Sequence, residues 1–331
     1  MKKLFAFVFC LFVCAAGWLA YDAYEFLHAP LSTDSRALDI QVKPGETVRV
    51  IGAKLSASGL LDRPIWWEIY ARYTGKARSI KTGEYSLSTD LTPISLLDEL
   101  QLGKQKQYSF TILEGWNIWQ LRDALAADPV LVATLQDVED KDLLASIGLA
   151  DGHPEGQFLP DTYFFPRGTT DAEFLLRANR ALVAKLDEVW LDRQDNLPVS
   201  SAYEALTLAS IIEKETSVAS ERPIISGVIA GRLRKGMRLQ MDPTVIYGIG
   251  RSFNGNITRR DLKTPTPYNT YTIAGLPPTP IAMAGAESLE AAVNPAATKA
   301  LFFVADGTGG HVFNETVEAH NKAVRKFILK K

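Results

Sequence analysis

A glutamate interrupts an apolar helical pattern in the stretch "LTLASIIEKETSVASERP" (residues 206–223). Advancing about 100° per residue places Glu213 inside the apolar stripe that contains Leu208 and Ile212. A buried carboxylate is costly unless it is paired or neutralised. Two interpretations follow: a protonated general acid beside small alanines that leave room for a ligand, or a structural glutamate paired with an arginine such as Arg222 or Arg232.

Glu215 lies two positions further on, at the other edge of the same stripe. The two carboxyl groups therefore diverge, and we do not expect them to act as a pair on one bond. Glu215 is instead a candidate for substrate binding.

Two further segments combine acidic, amide and phenol side chains with turn-forming residues. Such side chains suit a polyhydroxylated substrate, although packed turns between helices would use them as well. The candidates in "PEGQFLPDTYFF" are Glu155, Asp161 and Tyr163, and those in "RLQMDPTVIYGIG" and "TPYNTYTIAGLPPTPI" are Gln240, Asp242, Tyr268, Asn269 and Tyr271.

Composition and missing motifs exclude several classes of function. The net charge of −2 and the pI near 6.1 argue against a nucleic-acid partner. The sequence has no HExxH, GxSxG, Walker or dinucleotide motif, and its four histidines are scattered, so no metal and no cofactor are expected. Acid/base chemistry by carboxylates remains.

The N-terminus carries an export signal. Lys2 and Lys3 precede an uncharged run from Leu4 to Tyr21, which predicts a single-pass membrane anchor with a cytoplasmic N-terminus. A signal peptide cleaved after a small-residue site is the alternative. Both cysteines, Cys10 and Cys14, lie in this run, so the exported body can form no disulfide.

The remaining pattern predicts an α+β fold. A strand, the turn at Pro44-Gly45 and an amphipathic helix open a small module, in which a second helix begins near Pro93 and stops at Gly103. Longer helices, an irregular tract and a hairpin follow. We expect three regions: residues 1–25 as cytoplasmic N-terminus and anchor, 26–105 as linker and small α+β module, and 106–331 as a larger mixed α+β catalytic domain.

Five motifs together give a specific resemblance. The segments "EGQFLPDTY", "LASIIEKET", "RLQMDPTVIYG", "YNTYTIAGLPPTPI" and "FVADGTGGHVFN" occur in the order found in the MltG (YceG-like) family of endolytic murein transglycosylases, between about residues 114 and 322. The resemblance implies that Glu213, the first acid of "EKET", is the catalytic residue. It also implies that the small module is LysM-like, "VKPGETVRVIGAKL" being its most recognisable part.

The chemistry implied by the resemblance requires one carboxyl group. The acid, Glu213, protonates the glycosidic oxygen after a MurNAc residue, and the N-acetyl group stabilises C1. The same side chain, now a base, takes the proton of the C6 hydroxyl as that oxygen closes a 1,6-anhydro ring. The implied substrate is the MurNAc-GlcNAc β-1,4 bond within peptidoglycan glycan strands, and peptidoglycan synthases are further implied partners. The implied location is the inner membrane, with the catalytic domain on its periplasmic side. A non-catalytic peptidoglycan-binding or division scaffold is the alternative.

Overall fold

The computed structural model describes residues 1–31, 38–88 and 90–329. The chain divides into two compact units. The first comprises Met1–Tyr108 with Phe164–Arg167, and the second comprises Ser109–Tyr163 with Gly168–Lys331. The spacer predicted around residues 28–36 lies largely outside the described residues.

The first unit contains four helices and a strand pair among its described residues. These elements are α1 (Lys2–His28), β1 (Leu38–Val42), α2 (Val48–Ala57), α3 (Pro64–Tyr73), β2 (Gly83–Leu87) and α4 (Pro93–Leu102). Strands β1 and β2 are antiparallel, with Ile40 opposite Tyr85. The fully buried Trp67 of α3 donates its indole N–H to the carbonyl of Pro93, 3.0 Å away, which fixes α3 against the start of α4.

Local signals account for most of these boundaries. Thr92 caps α4 by accepting from the backbone N–H of Ser95, and Gly103 ends the helix with φ 73°, as predicted. The amphipathic helix predicted after Pro44 is in fact two helices, α2 and α3. Gly59, with φ 79°, lies in the turn between them, a conformation that glycine adopts without strain.

Helix α1 is long and apolar enough to cross a membrane. It spans 27 residues with a mean hydropathy of 2.3 in its most apolar window, and none of that window is buried against the protein. Near its C-terminal end, Asp22 accepts hydrogen bonds from Arg63 at 2.6 Å and from the Trp66 indole at 2.9 Å. The end of α1 is therefore tied to the start of α3.

The second unit begins within β3 (Gln107–Thr111), which pairs with β4 (Thr162–Pro166) in a two-stranded sheet. A second strand pair, β5–β6, is antiparallel and sets Ala305 opposite His311. The other elements of this unit are α5 (Ile118–Ala127), α6 (Leu143–Ser146), α7 (Asp171–Leu191), α8 (Ala202–Glu215), α9 (Arg222–Arg234), α10 (Asp242–Ile249), α11 (Ala286–Val293), β5 (Phe302–Ala305), β6 (His311–Asn314) and α12 (Val317–Phe327).

Helix α8 is the central element of the second unit. Its residues 205–212 are all buried, and it packs against α7, α9, α10 and α11. Ser201 caps it by accepting from the backbone N–H of Glu204 at 3.2 Å. The carboxylate of Glu204 does not complete a capping box with Ser201, because it accepts from Ser200 instead. The helix ends at Glu215 because Thr216 adopts an extended conformation.

Candidate active site

A cavity of about 480 Å³ lies at the C-terminal end of α8. Its size falls within the range of small-molecule sites. Its walls come from α8, α9, the start of α10, the hairpin β5–β6 and α12. The polar side chains that line it are Glu215, Arg232, Gln240, Asp242, Tyr271, His311 and His320, beside apolar residues that include Phe302 and Phe303.

Glu215 is the glutamate whose carboxyl lies in the wall of this cavity. Its Oε1 atom is buried and has no hydrogen-bond partner among the described residues. Burial, helped by the negative charge of Asp242 and opposed by the Arg232 guanidinium, raises its pKa from 4.5 to about 8. Its position at the last residue of α8 also disfavours the anion, because the negative end of the helix dipole lies there. A proton-bearing carboxyl at neutral pH is what a general acid requires.

The groups around Glu215 are held in place by hydrogen bonds. The Tyr271 hydroxyl donates to Asp242 Oδ1 at 2.5 Å. Gln240 has φ 51°, an uncommon backbone conformation for a residue other than glycine, and its N–H donates to the carbonyl of Thr270 at 3.1 Å. Arg232 is buried and donates to the carbonyls of Leu301 and Leu239 at 2.6 and 2.5 Å, which ties two loops to α9.

Glu213 lies in a different environment. Its side chain is 6% exposed, its Oε2 accepts from the backbone N–H of Gly285 at 3.0 Å, and its Oε1 lies 3.7 Å from the Arg222 guanidinium. Arg222 also pairs with Glu114 at 3.6 Å and with Glu287. A Cβ at position 285 would lie 1.9 Å from Glu114 Oε1, so a larger residue there would displace the Glu114 carboxylate from the cluster.

This geometry fits the structural interpretation of Glu213, and it leaves Glu215 as the glutamate at the end of α8 that lines the cavity. The Glu213 carboxyl is engaged by Arg222 and by the N–H of Gly285, and Glu213 is not among the residues that line the cavity. The two glutamates diverge as the sequence predicted. The resemblance to the family had pointed to the first acid of "EKET", whereas the cavity contains the second.

Glu155 is completely buried and offers no surface to a sugar. Its carboxyl accepts from the backbone N–H of Ile118 at the start of α5, at 3.0 Å, and from that of Gly156 at 3.2 Å. Burial raises its pKa to about 7, while these bonds and one with Tyr247 lower it. Its expected role in substrate binding is therefore replaced by a structural one, capping α5.

Three more predicted binding residues use their polar atoms within the fold. The Tyr163 hydroxyl donates to the carbonyl of Leu159 at 2.8 Å, and Tyr268 bonds the hydroxyl of Thr279 at 2.9 Å. Asn269 is 1% exposed, and its amide N–H groups donate to three backbone carbonyls of residues 261–264. Asp161 is exposed just before β4 and caps the N–H of Thr162. None of these four lines the cavity.

Sequence reasoning missed the contribution of the hairpin and of α12. His311 and His320 were interpreted only as scattered histidines that form no metal site, yet both line the cavity, with Phe302, Phe303 and Arg232. The available signal was the segment "GGHVFN", in which a histidine directly follows a glycine turn and begins a strand. That segment had been interpreted as a hairpin and as one of the five family motifs, with no role for its histidine.

The comparisons with known proteins agree with this architecture. The profile of the YceG-like family matches residues 40–326. The chain belongs to the YceG-like family. The resemblance predicted from the five motifs is thereby confirmed.

Relatives of this YceG-like chain have curated names. The chain is 31% identical over 320 residues to the endolytic murein transglycosylase of Bacillus subtilis (strain 168), covering 91% of this chain and 88% of that protein. It is 27% identical over 360 residues to the endolytic murein transglycosylase of Streptococcus pneumoniae serotype 2 (strain D39), covering 98% of this chain and 64% of that protein.

A solved structure supports the predicted fold class. A crystal structure of a yceG-like protein from Listeria monocytogenes matches with a TM-score of 0.55 and 30% sequence identity. The match covers 87% of this YceG-like chain and 99% of the other. The α+β prediction is therefore confirmed.

Proposed function

We propose that this chain is an endolytic murein transglycosylase in which Glu215 is the general acid. The observation that carries the assignment is a carboxyl at the wall of a polar and aromatic cavity, with its Oε1 buried and its pKa raised to about 8. The relatives that are named for this activity support it. The substrate is the β-1,4 bond between MurNAc and GlcNAc inside peptidoglycan glycan strands.

In the proposed reaction, Glu215 donates its proton to the oxygen of the glycosidic bond as that bond breaks. Positive charge develops at C1 of MurNAc, where the N-acetyl group and the nearby carboxylate of Asp242 stabilise it. The C6 hydroxyl of the same sugar then attacks C1. Because it is tethered, its effective molarity reaches up to about 10⁵ M or more in well-oriented cases, so it competes with water.

The hydrogen bond from Tyr271 to Asp242 gives the sugar-binding wall a fixed shape. Tyr271 and Gln240 supply the polar groups that we assign to substrate binding, together with Asp242. Asn269 acts one step away, because its side-chain oxygen accepts from the backbone N–H of Tyr271 and its amide N–H groups hold residues 261–264.

We also propose how the chain is arranged in the cell. Residues 1–25 form a single-pass anchor with the N-terminus in the cytoplasm, in keeping with Lys2, Lys3 and the apolar helix α1. Residues 26–105 form a linker and a LysM-like module, and residues 106–331 form the catalytic domain on the periplasmic side of the inner membrane. Peptidoglycan synthases are the protein partners that such a location favours.

Product chemistry tests the proposed function. Purified murein is digested with the full-length chain in detergent, reduced with borohydride and analysed by mass spectrometry. We expect strands cut internally that end in 1,6-anhydroMurNAc. Fragments that gain two hydrogens at a reducing MurNAc would show that water was the nucleophile. Murein that stays uncut would show that the chain does not catalyse cleavage and would favour a peptidoglycan-binding role.

A further inference from the structure

His311 is held in one orientation at the wall of the cavity. Its backbone N–H donates to Glu221 Oε1 at 2.7 Å, and its ring Nδ1 lies 2.7 Å from Glu221 Oε2. The Phe303 ring meets the imidazole edge-to-face, with centroids 5.3 Å apart. The clamp leaves Nε2 as the ring nitrogen that can act on a substrate.

Glu221 is an ionised partner for this imidazole. Burial alone would raise the pKa of Glu221, but hydrogen bonds from His311 and from Thr216 at 3.0 Å hold the pKa below its ordinary value. An ionised carboxylate accepts the proton on Nδ1 and so places the lone pair on Nε2. This is the arrangement of a carboxylate-oriented histidine base.

The other charged groups near His311 come from three directions. Asp306 lies in the β5–β6 turn and interacts electrostatically with the imidazole. Glu215 from α8 and Arg232 from α9 line the same cavity, as does His320 from α12. His320 differs from His311 because its Nδ1 is buried without a partner among the described residues.

We propose that His311, oriented by Glu221, is a second catalytic residue that takes the proton of the attacking C6 hydroxyl, while Glu215 serves only as the acid. The inference rests on the proposed function and deepens it. The two proton transfers then fall to two side chains of one cavity, a carboxyl on α8 and an imidazole on β6.

The step balances without any further reactant. The C1–O bond to the leaving sugar breaks, and its oxygen takes the proton of Glu215. The C6 oxygen bonds to C1 and closes the anhydro ring, and its proton passes to Nε2 of His311. The resulting imidazolium is stabilised by Glu221. Solvent then removes that proton and returns one to Glu215.

The pH profile of cleavage by the full-length chain tests the proposal. Wild type should lose activity at low pH, because a protonated imidazole is no base. Folded His311→Gln should cleave at least about a hundredfold more slowly than wild type. Its remaining rate should no longer decline at low pH, so the acidic limb of the pH profile should be lost. Glu221→Gln should move the limb to lower pH, since the imidazolium loses its carboxylate partner.

Two controls separate catalysis from a structural role. His320→Gln changes a histidine of the same cavity that lacks a carboxylate partner, and it should keep the acidic limb. Added imidazole should restore part of the activity of His311→Ala, which a purely structural loss would not allow. A folded His311→Gln with cleavage within threefold of wild type, or with the limb unchanged, would overturn the proposal. Wild type without any cleavage would instead refute the proposed function and this inference with it.

Discussion

Replacing Glu215 by Gln should abolish murein cleavage and stabilise the folded protein at alkaline pH. The amide keeps the shape of the carboxyl but has no acidic proton to donate. It also removes a group that the cavity disfavours as an anion. Replacing Glu213 by Gln should have the opposite effects. The rate of cleavage should stay within about tenfold of wild type, because Glu213 does not line the cavity, and the folded protein should be less stable.

The size of the stabilisation follows from the pKa of Glu215, which the fold raises from 4.5 to about 8. Between these values the folded chain retains a proton that the unfolded chain releases, so wild-type stability falls as pH rises through that window. At about 1.4 kcal/mol per pH unit, the advantage of Glu215→Gln should grow from near zero at pH 4.5 to at most about 5 kcal/mol at pH 8.

The cost of Glu213→Gln is smaller than the loss of a whole buried ion pair. The amide oxygen can still accept from Gly285, and Arg222 retains Glu114 and Glu287. We expect a loss of about 1–3 kcal/mol in the free energy of unfolding.

The assay combines denaturant unfolding of both variants from pH 4.5 to 8.5 with murein digestion under matched conditions. Circular dichroism confirms that each variant is folded before its activity is scored. Our reasoning would be refuted by an active Glu215→Gln variant whose stability follows the wild-type pH curve. A folded but inactive Glu213→Gln variant would return the role of acid to Glu213.

Three further predictions concern pH, metals and location. The rate of cleavage should fall above about pH 8 as Glu215 ionises. Asp242→Asn should move that fall to lower pH, because it removes the charge that helps raise the pKa of Glu215. A fall at the same pH in the variant would contradict an interaction between Asp242 and Glu215. Chelation with EDTA should leave the cleavage rate unchanged, since the described residues hold no group of three or more His, Cys, Asp or Glu side chains placed to bind a metal. A rate that EDTA abolishes and that added zinc or magnesium restores would prove this expectation wrong. Cell fractionation should find the chain in the membrane, and N-terminal sequencing that begins near Trp18 would show a cleaved signal instead.

Local signals were sufficient for the long elements of the fold. The cap at Ser201, the stop at Gly103 and the apolar periodicity of α7 and α8 each operate within a few residues of sequence. Strand β4 and the helices α10 and α11 were not predicted. Each has eight residues or fewer, too short for a period to be established, and long-range packing decides its conformation.

The candidate site shows a different limit. Sequence reasoning selected Gln240, Asp242 and Tyr271, which line the cavity, because their side chains suit a sugar. It also selected Tyr163 and Asn269, whose side chains are equally polar but form hydrogen bonds with backbone carbonyls. Residue type cannot distinguish these two groups, because the distinction depends on which partners the loops bring within hydrogen-bond distance.

The two glutamates of α8 show how distant contacts decide between chemically identical candidates. Helical phase places Glu213 and Glu215 on different sides of α8 but does not say which side faces a cavity. That is settled 72 residues away along the chain, where Gly285 supplies an N–H to Glu213, and by Arg222, whose charge keeps that carboxyl paired. The hairpin and α10 meanwhile enclose Glu215 and leave its Oε1 without a partner. A carboxyl whose hydrogen-bonding capacity is filled by the fold contributes stability, whereas one that is buried and left unsatisfied keeps its proton for a substrate.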